Sequence, residues 1–341
     1  MPQEAEVVFP PYVDRPDLEQ RMSEIARAGL DQRLVFLIGA GFSRDARGYP
    51  TGSELASVLV QDTYKCTEAE AKAAAGKYEL AAIAQQFVEK ATEKRTQLVA
   101  RIASALSQEP EKKSQVELDF ASVAAICRPR RVYTTNFDNI IESALEARGR
   151  VVPPEISEIR TFEQDANVRD ITGVFHLNGD LKHPQVTEDD IRTHRSVSFE
   201  LLRQDMLTQV LVMVGYSFRD DAITRIYDDL FELLKKVGED RRNYIVMPTD
   251  GSLDYKLAER LWRSRGDIVL MPFSAGQFFR LLVTFLEEAR YEETIKGIAE
   301  RIGKTSTEVN DRLRPLRHKF SHITAPELAE AIEQFLDLRN T

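Results

Sequence analysis

The run Leu34-Val35-Phe36-Leu37-Ile38-Gly39-Ala40-Gly41-Phe42-Ser43 constrains this chain more than any other stretch. Five consecutive apolar residues predict a strand buried on both faces of a parallel sheet. Gly39 and Gly41 then allow a sharp turn and let bare backbone approach a neighbour or a ligand. Amides in such a turn favour a phosphate, although a tight strand-to-helix turn with no ligand uses the same residues. Arg44 stands where the dinucleotide fingerprint has its third glycine. Gly48, Pro50 and Gly52 predict that the loop continues to a helix starting near Thr51, with Glu54 completing a capping box. A loop of that length could close over a ligand. No strand ending in an acidic residue follows some twenty residues on, which argues against an ordinary dehydrogenase.

The composition leaves room for one large core and a smaller appendage: 341 residues, 43% hydrophobic and 30% charged. A net charge of −9 gives no sign of a nucleic-acid partner, and Arg128, Arg130 and Arg131 are better read as a solvated strand entrance. Two cysteines, Cys66 and Cys127, cannot form a four-cysteine zinc site or a disulfide framework, so a reducing cytoplasm is expected. Met1 to Pro10 carries Glu4 and Glu6 and no basic stretch before an apolar segment, so no secretory signal is expected. No apolar run is long enough to span a bilayer.

Periodicity predicts a short leader helix near 18–28, then helices at 53–63, 67–75, 78–91, 94–108 and 117–126. These form a helical insertion between the first two strands. Sheet character returns at 131–135, 150–152, 173–175, 210–214, 244–247 and 267–271, with helices between, including 138–147, 198–208, 221–236, 253–264 and 275–289. The alternation predicts an α/β fold: a Rossmann-like parallel sheet with the helical insertion and a C-terminal helical tail. The expected division is a leader over 1–30, the main domain over 31–290 with its insertion at about 53–126, and short helices over 291–341.

The polar residues gather after the strands: Gly39 to Ser43, Thr134 to Asp138, His176 to Asp180, and Gly215 to Phe218. Ligands of open parallel sheets bind at the carboxyl ends of strands, so these four segments are expected to share one crevice. Each has a plain structural reading. Asn136 or Asp138 could cap a helix, His176 could be a satisfied core histidine, and Ser217 could be a turn residue. Their common position favours a site.

On Gly39-Ala40-Gly41-Phe42-Ser43, Thr134-Thr135-Asn136-Phe137-Asp138, His176 with Gly179, and Gly215-Tyr216-Ser217, the chain resembles sirtuin-like domains over roughly residues 30–290. In particular, it resembles the prokaryotic NAD-consuming ones of antiviral defence systems. Two residues separate His176 from Gly179, a departure from the family pattern that bears on Gly179. Deacylating members carry a four-cysteine zinc module and an Asp-Phe-Arg segment after the loop proline. Here Pro50 is followed by Thr51-Gly52-Ser53 and no zinc module can form, which points to plain NAD cleavage.

The resemblance implies NAD as substrate, no zinc, and release of nicotinamide and ADP-ribose. It assigns Asn136 to the ribose or the attacking water, His176 to general-base work or a ribose contact, and Asp138 to the nicotinamide side. Gly39, Ala40, Gly41, Ser43, Arg44, Thr135, Gly215 and Ser217 would hold the rest of the dinucleotide. His183, His194, His318 and His322 are read as surface or structural residues. The resemblance also implies a gate on NAD consumption, through homo-oligomerisation, an infection signal or a separately encoded ATPase/helicase or Argonaute-type partner; charge and apolar run lengths point to no direct nucleic-acid or membrane contact. Protein deacylation and non-catalytic sensing of NAD or ADP-ribose stand as competing functions. Preference between NAD and NADP is left open by the residues.

Overall fold

The computed structural model describes residues 15–90, 94–106, 112–166, 170–193, 197–217, 221–237, 243–248, 256, 268–302 and 305–313. Among these, seven strands form one parallel sheet in the order β3-β4-β2-β1-β5-β6-β7. The strands are β1 (Leu34–Ile38), β2 (Arg131–Thr134), β3 (Gly149–Val151), β4 (Thr172–His176), β5 (Val210–Val214), β6 (Asn243–Val246) and β7 (Ile268–Met271). β1 lies at the centre. The chain builds one half of the sheet through β4, then crosses to β5 on the other side of β1. The switch in strand order therefore lies between β1 and β5, where a crevice opens at the carboxyl ends.

The unbroken apolar run of β1 has a simple cause. Leu34, Phe36 and Ile38 point into one core, and Val35 and Leu37 into another, so neither face meets water. On the first face pack helices α1 (Arg15–Leu30), α2 (Ala40–Arg47) and α7 (Gln115–Cys127), with the long helix Ala275–Ile302. Phe36, Phe42, Phe120 and Phe279 interlock there, with ring centroids 5.1–6.0 Å apart, mostly edge to face. On the second face, Phe162, Leu202, Met206, Ile223 and Tyr227 come from helices α9 (Ile156–Ala166), α11 (Val197–Thr208) and α12 (Asp221–Val237).

The insertion consists of α3 (Gly52–Tyr64), α4 (Glu68–Ala75), α5 (Leu80–Lys90) and α6 (Lys94–Ala105), followed by α7. The capping box read at Thr51 and Glu54 is present, and equivalent boxes start α4 at Thr67 and α7 at Ser114. The insertion is tied back to the segment after β4: Arg95 pairs with Asp190 at 2.5 Å, and Gln85 donates to Asp189 at 3.2 Å.

Three local expectations change. The stretch after Gly39 is not an open loop, because α2 begins at Ala40 and runs to Arg47, closed by Gly48 in the left-handed region at φ 69°. Its buried residues, Phe42 and Ser43, give it a core-facing side that the two glycines obscure in the sequence. The helix expected over 275–289 continues to Ile302, so the expected boundary at residue 290 falls inside one helix. Tyr291, Ile295 and Ala299 carry its buried stripe onward at three-to-four-residue spacing. Helix α9 fills a segment to which no element was assigned. The helix expected at 253–264 and the tail beyond 313 lie outside the described residues.

Candidate active site

A cavity of about 1030 Å³ occupies the switch point, at the upper end of small-molecule pockets at roughly 300–1,000 Å³. Its floor is the strand ends: Gly39, Ala40, Gly41 and Ser43 after β1, Thr135 to Asp138 after β2, Gly215 to Ser217 after β5, and Met247 and Pro248 after β6. The insertion forms the facing wall through Thr51 to Ser53, Tyr78 and Glu79. Three of the four polar segments expected to converge thus do so through residues that carry side-chain chemistry. The fourth, after β4, reaches the cavity through Asn178.

The glycines have a packing role. The Gly39 amide donates to Val214 O at 2.9 Å, and the Gly41 amide to Gly215 O at 2.9 Å. A Cβ on Gly39 would stand 2.5 Å from Gly215 O. One on Gly215 would stand 2.5 Å from Phe42 N and 2.7 Å from Gly41 Cα. Gly215 is also left-handed, at φ 63°. The β1 and β5 turns therefore interlock backbone to backbone, and two of the amides that could have met a phosphate bond within the fold. Gly215→Ala is expected to destabilise the protein by more than the roughly 1–2 kcal/mol of left-handed strain, because the clashing atoms are backbone. Thermal or urea unfolding reads this; a variant as stable as its parent would refute the interlock.

A directed hydrogen-bond chain crosses the floor. Asn136 Nδ2 donates to Gly39 O at 3.1 Å and to Ser43 Oγ at 2.8 Å. The carbonyl can only accept, so the orientation of the amide follows. Ser43 Oγ in turn donates to Asp138 Oδ2 at 2.7 Å, and Asp138 Oδ1 accepts from the Ile140 amide at 3.2 Å, at the start of helix α8 (Ile140–Leu145). Asn136, Ser43 and Asp138 are all buried. Burial pushes the Asp138 carboxyl above the usual carboxylate range and the charge of Glu142 adds to this, while the bonds from Ser43 and Ile140 and the nearby His176 oppose it.

His176 stands behind this floor, not among the residues lining the cavity. Its Nδ1 lies 2.8 Å from the Asn136 main-chain carbonyl, and its Nε2 lies 2.5 Å from Glu142 Oε1. Burial lowers the pKa of the imidazole, but the bond and charge of Glu142, the Asn136 carbonyl and Asp138 outweigh it, and the net direction is upward. Arg44 is exposed at the rim and pairs with Glu54 at 2.9 Å. His183 is also exposed; His194, His318 and His322 lie outside the described residues.

Residue-by-residue reading missed Glu142, Asn178, Gln185 and Glu188. The last three line the cavity from a segment with no strand pattern to mark its position. Glu142 lies in the first turn of α8, four residues after Asp138, and that proximity was the available signal. Among the described residues, no group of three or more His, Cys, Asp or Glu is placed to hold a metal ion. Nor is any helix among them long and apolar enough to cross a membrane.

The family model of the SIR2-like domain matches residues 130–268. Over that stretch the chain is similar to SIR2-like domains. The match takes in Asn136, Asp138, His176, Gly215 and Ser217, while the β1 turn and the insertion lie outside it. A curated relative, the NAD(+) hydrolase ThsA of Enterococcus faecium, is 28% identical over 122 residues, which are 34% of this chain and 25% of the relative. The sirtuin-like chain thus matches about a quarter of that protein's length. Two solved structures are similar at low level. A Sir2 homologue mutant in complex with 2′-O-acetyl ADP ribose has a TM-score of 0.41 and 14% identity, covering 81% of this chain and 98% of that one. A structure described as the basis for the mechanism and regulation of Sir2 enzymes has a TM-score of 0.40 and 16% identity, covering 81% and 99%.

Proposed function

We propose that this sirtuin-like protein hydrolyses NAD at the ribose–nicotinamide bond, giving nicotinamide and ADP-ribose. The observation that carries the reading is the Asn136–Ser43–Asp138 chain on the cavity floor. With Nδ2 engaged by Gly39 and Ser43, Asn136 keeps Oδ1 as the acceptor for a ribose hydroxyl or a water. The leaving group is cationic, so it needs no proton. The C1′–N bond breaks with its electron pair going to nicotinamide, the water oxygen bonds C1′, and the water's proton passes to solvent. The transition state is oxocarbenium-like, and Asp138, whose two carboxyl oxygens accept from Ser43 and the Ile140 amide, is the acidic group placed to supply negative charge when ionised. Ala40, Thr135, Gly215 and Ser217 complete the dinucleotide's bed. Since the Gly39 and Gly41 amides are engaged, the pyrophosphate falls to the N-terminal end of α2 and to Arg44, whose guanidinium would exchange Glu54 for a phosphate. The name of the Enterococcus relative supports the same chemistry.

In this proposal, NAD depletion serves defence against phage in the cytoplasm. Self-assembly or a separately encoded partner, an ATPase/helicase or an Argonaute-type protein, holds it in check. The unit that folds together runs from α1 through the helices after residue 290, since Leu18, Met22 and Ile25 share the core of β1. The test is nicotinamide release from NAD by the purified protein without acylated peptide, alone and with the product of a neighbouring gene. Release in either arm is the expected result. Turnover only in step with an acylated peptide would overturn hydrolysis in favour of deacylation, and stoichiometric binding without release would leave a sensor.

A further inference from the structure

The His176 contacts admit few protonation states. The Asn136 main-chain oxygen can only accept, so Nδ1 must carry a proton. Nε2, 2.5 Å from Glu142 Oε1, then either donates to a carboxylate or accepts from a carboxylic acid. The surroundings favour the ion pair. Glu142 Oε2 is buried with no hydrogen-bond partner among the described residues, so His176 Nε2 at Oε1 is the side-chain partner the structure gives this carboxyl group. The titratable groups reaching His176 are Glu142 from α8 and Asp138 from the loop after β2, and both are acidic.

We propose that Glu142 is a positioning residue for the cavity floor: its carboxylate holds His176 as an imidazolium, and His176 clamps the Asn136 main chain so that the Asn136 side chain stays aligned on Gly39 and Ser43. The proposal rests on the NAD reading for its consequence in catalysis, and on geometry alone for the clamp. It explains why a histidine that does not line the cavity sits against Asn136, which does. It also gives His176 a task other than that of a free general base, because both its ring nitrogens are engaged.

The sign of the pH dependence follows. His176 is held protonated to a higher pH than an ordinary imidazole, so the Glu142–His176 ion pair that fixes the ring is complete below the ordinary value of about 6.5 and is lost as pH rises through the raised one. Glu142 raises both His176 and Asp138. Removing its charge should therefore move both limbs of a pH–rate profile toward acid.

The experiment compares the intact chain with Glu142→Gln, after thermal unfolding confirms that the variant folds. Two readouts need no substrate: the NMR titration of the His176 imidazole, assigned with His176→Gln, and the exchange rate of the Asn136 side-chain amide. Glu142→Gln is expected to lower the His176 midpoint by about one pH unit or more and to speed Asn136 amide exchange. Unchanged values for both would overturn the proposal, as would a variant whose His176 shifts while the Asn136 amide does not respond. The pH profile of nicotinamide release is read beside them, with kcat expected to fall at alkaline pH more than KM rises. NMR changes with no nicotinamide release by either protein at any pH, alone or with the product of the neighbouring gene, would refute the NAD reading and leave the clamp standing.

Discussion

Asn136→Ala is expected to reduce nicotinamide release at least about a hundredfold, the usual cost of deleting one preorganised polar group aimed at a transition state. The side chain is buried and bonds Gly39 and Ser43 in the turn and helix after β1, outside the strand ladder itself, so its loss leaves the sheet in place. What is lost is the amide that orients Ser43 toward Asp138, together with the free Oδ1. The truncated site should bind NAD with an affinity near that of the parent, because the bed for the phosphates and the distal ribose is untouched. The loss should thus fall on kcat more than on KM. Nicotinamide release and isothermal binding of NAD measure the two separately. A variant that turned over NAD at the parental rate would remove Asn136 from the chemistry; one that had lost its thermal transition would show that the amide is chiefly structural.

The second large effect is on stability. Glu117→Ala is expected to cost about 3–5 kcal/mol, the range for removing one partner of a buried ion pair. Arg47 Nη2 lies 2.8 Å from Glu117 Oε1, and both side chains are almost fully buried. Glu117 is also the third residue of the α7 capping box, accepting the Ser114 amide at 3.0 Å. Burial alone would raise its pKa, but the Arg47 and Ser114 bonds and the Arg47 charge outweigh this and hold the carboxyl below its ordinary range. The pair is therefore charged at neutral pH, and its stabilisation is lost as pH falls through the depressed value. Truncation leaves the Arg47 guanidinium buried without its carboxylate, at the end of the helix that carries Ser43. Urea unfolding of the single variant and of Arg47→Met/Glu117→Leu tests this. The double variant is expected to recover much of the loss, since replacing a whole buried pair by apolar groups of similar volume is often neutral. Equal losses in both would show that capping and packing, not the orphaned charge, set the cost.

The sheet was legible in the sequence because buried parallel strands must be apolar on both faces: Leu34 to Ile38 and Val210 to Val214 can satisfy nothing else. The helical insertion was legible because capping boxes such as Thr51 with Glu54 are local devices, complete within four residues. So was the convergence of Asn136, Asp138 and the β1 turn, since parallel strands place their carboxyl ends together. Helix α2 was not legible, because its glycines answer to a partner 170 or more residues away in sequence: Gly41 bonds Gly215, and that contact appears only when β1 and β5 pair. The continuity of the helix through residue 290 depends likewise on the buried stripe beneath it, from Tyr291 to Ala299.

The side-chain network was decided by tertiary structure alone. The family resemblance implies a general base or a ribose contact for His176, while its residue type alone also allows a satisfied core histidine. Only the packing of α8 against β4 turns it toward Glu142 and the Asn136 carbonyl. Spacing along a chain specifies which side chains reach one end of a sheet. Which atoms then pair, and which remain for a substrate, is set by distances of about 3 Å between residues 34 to 97 positions apart.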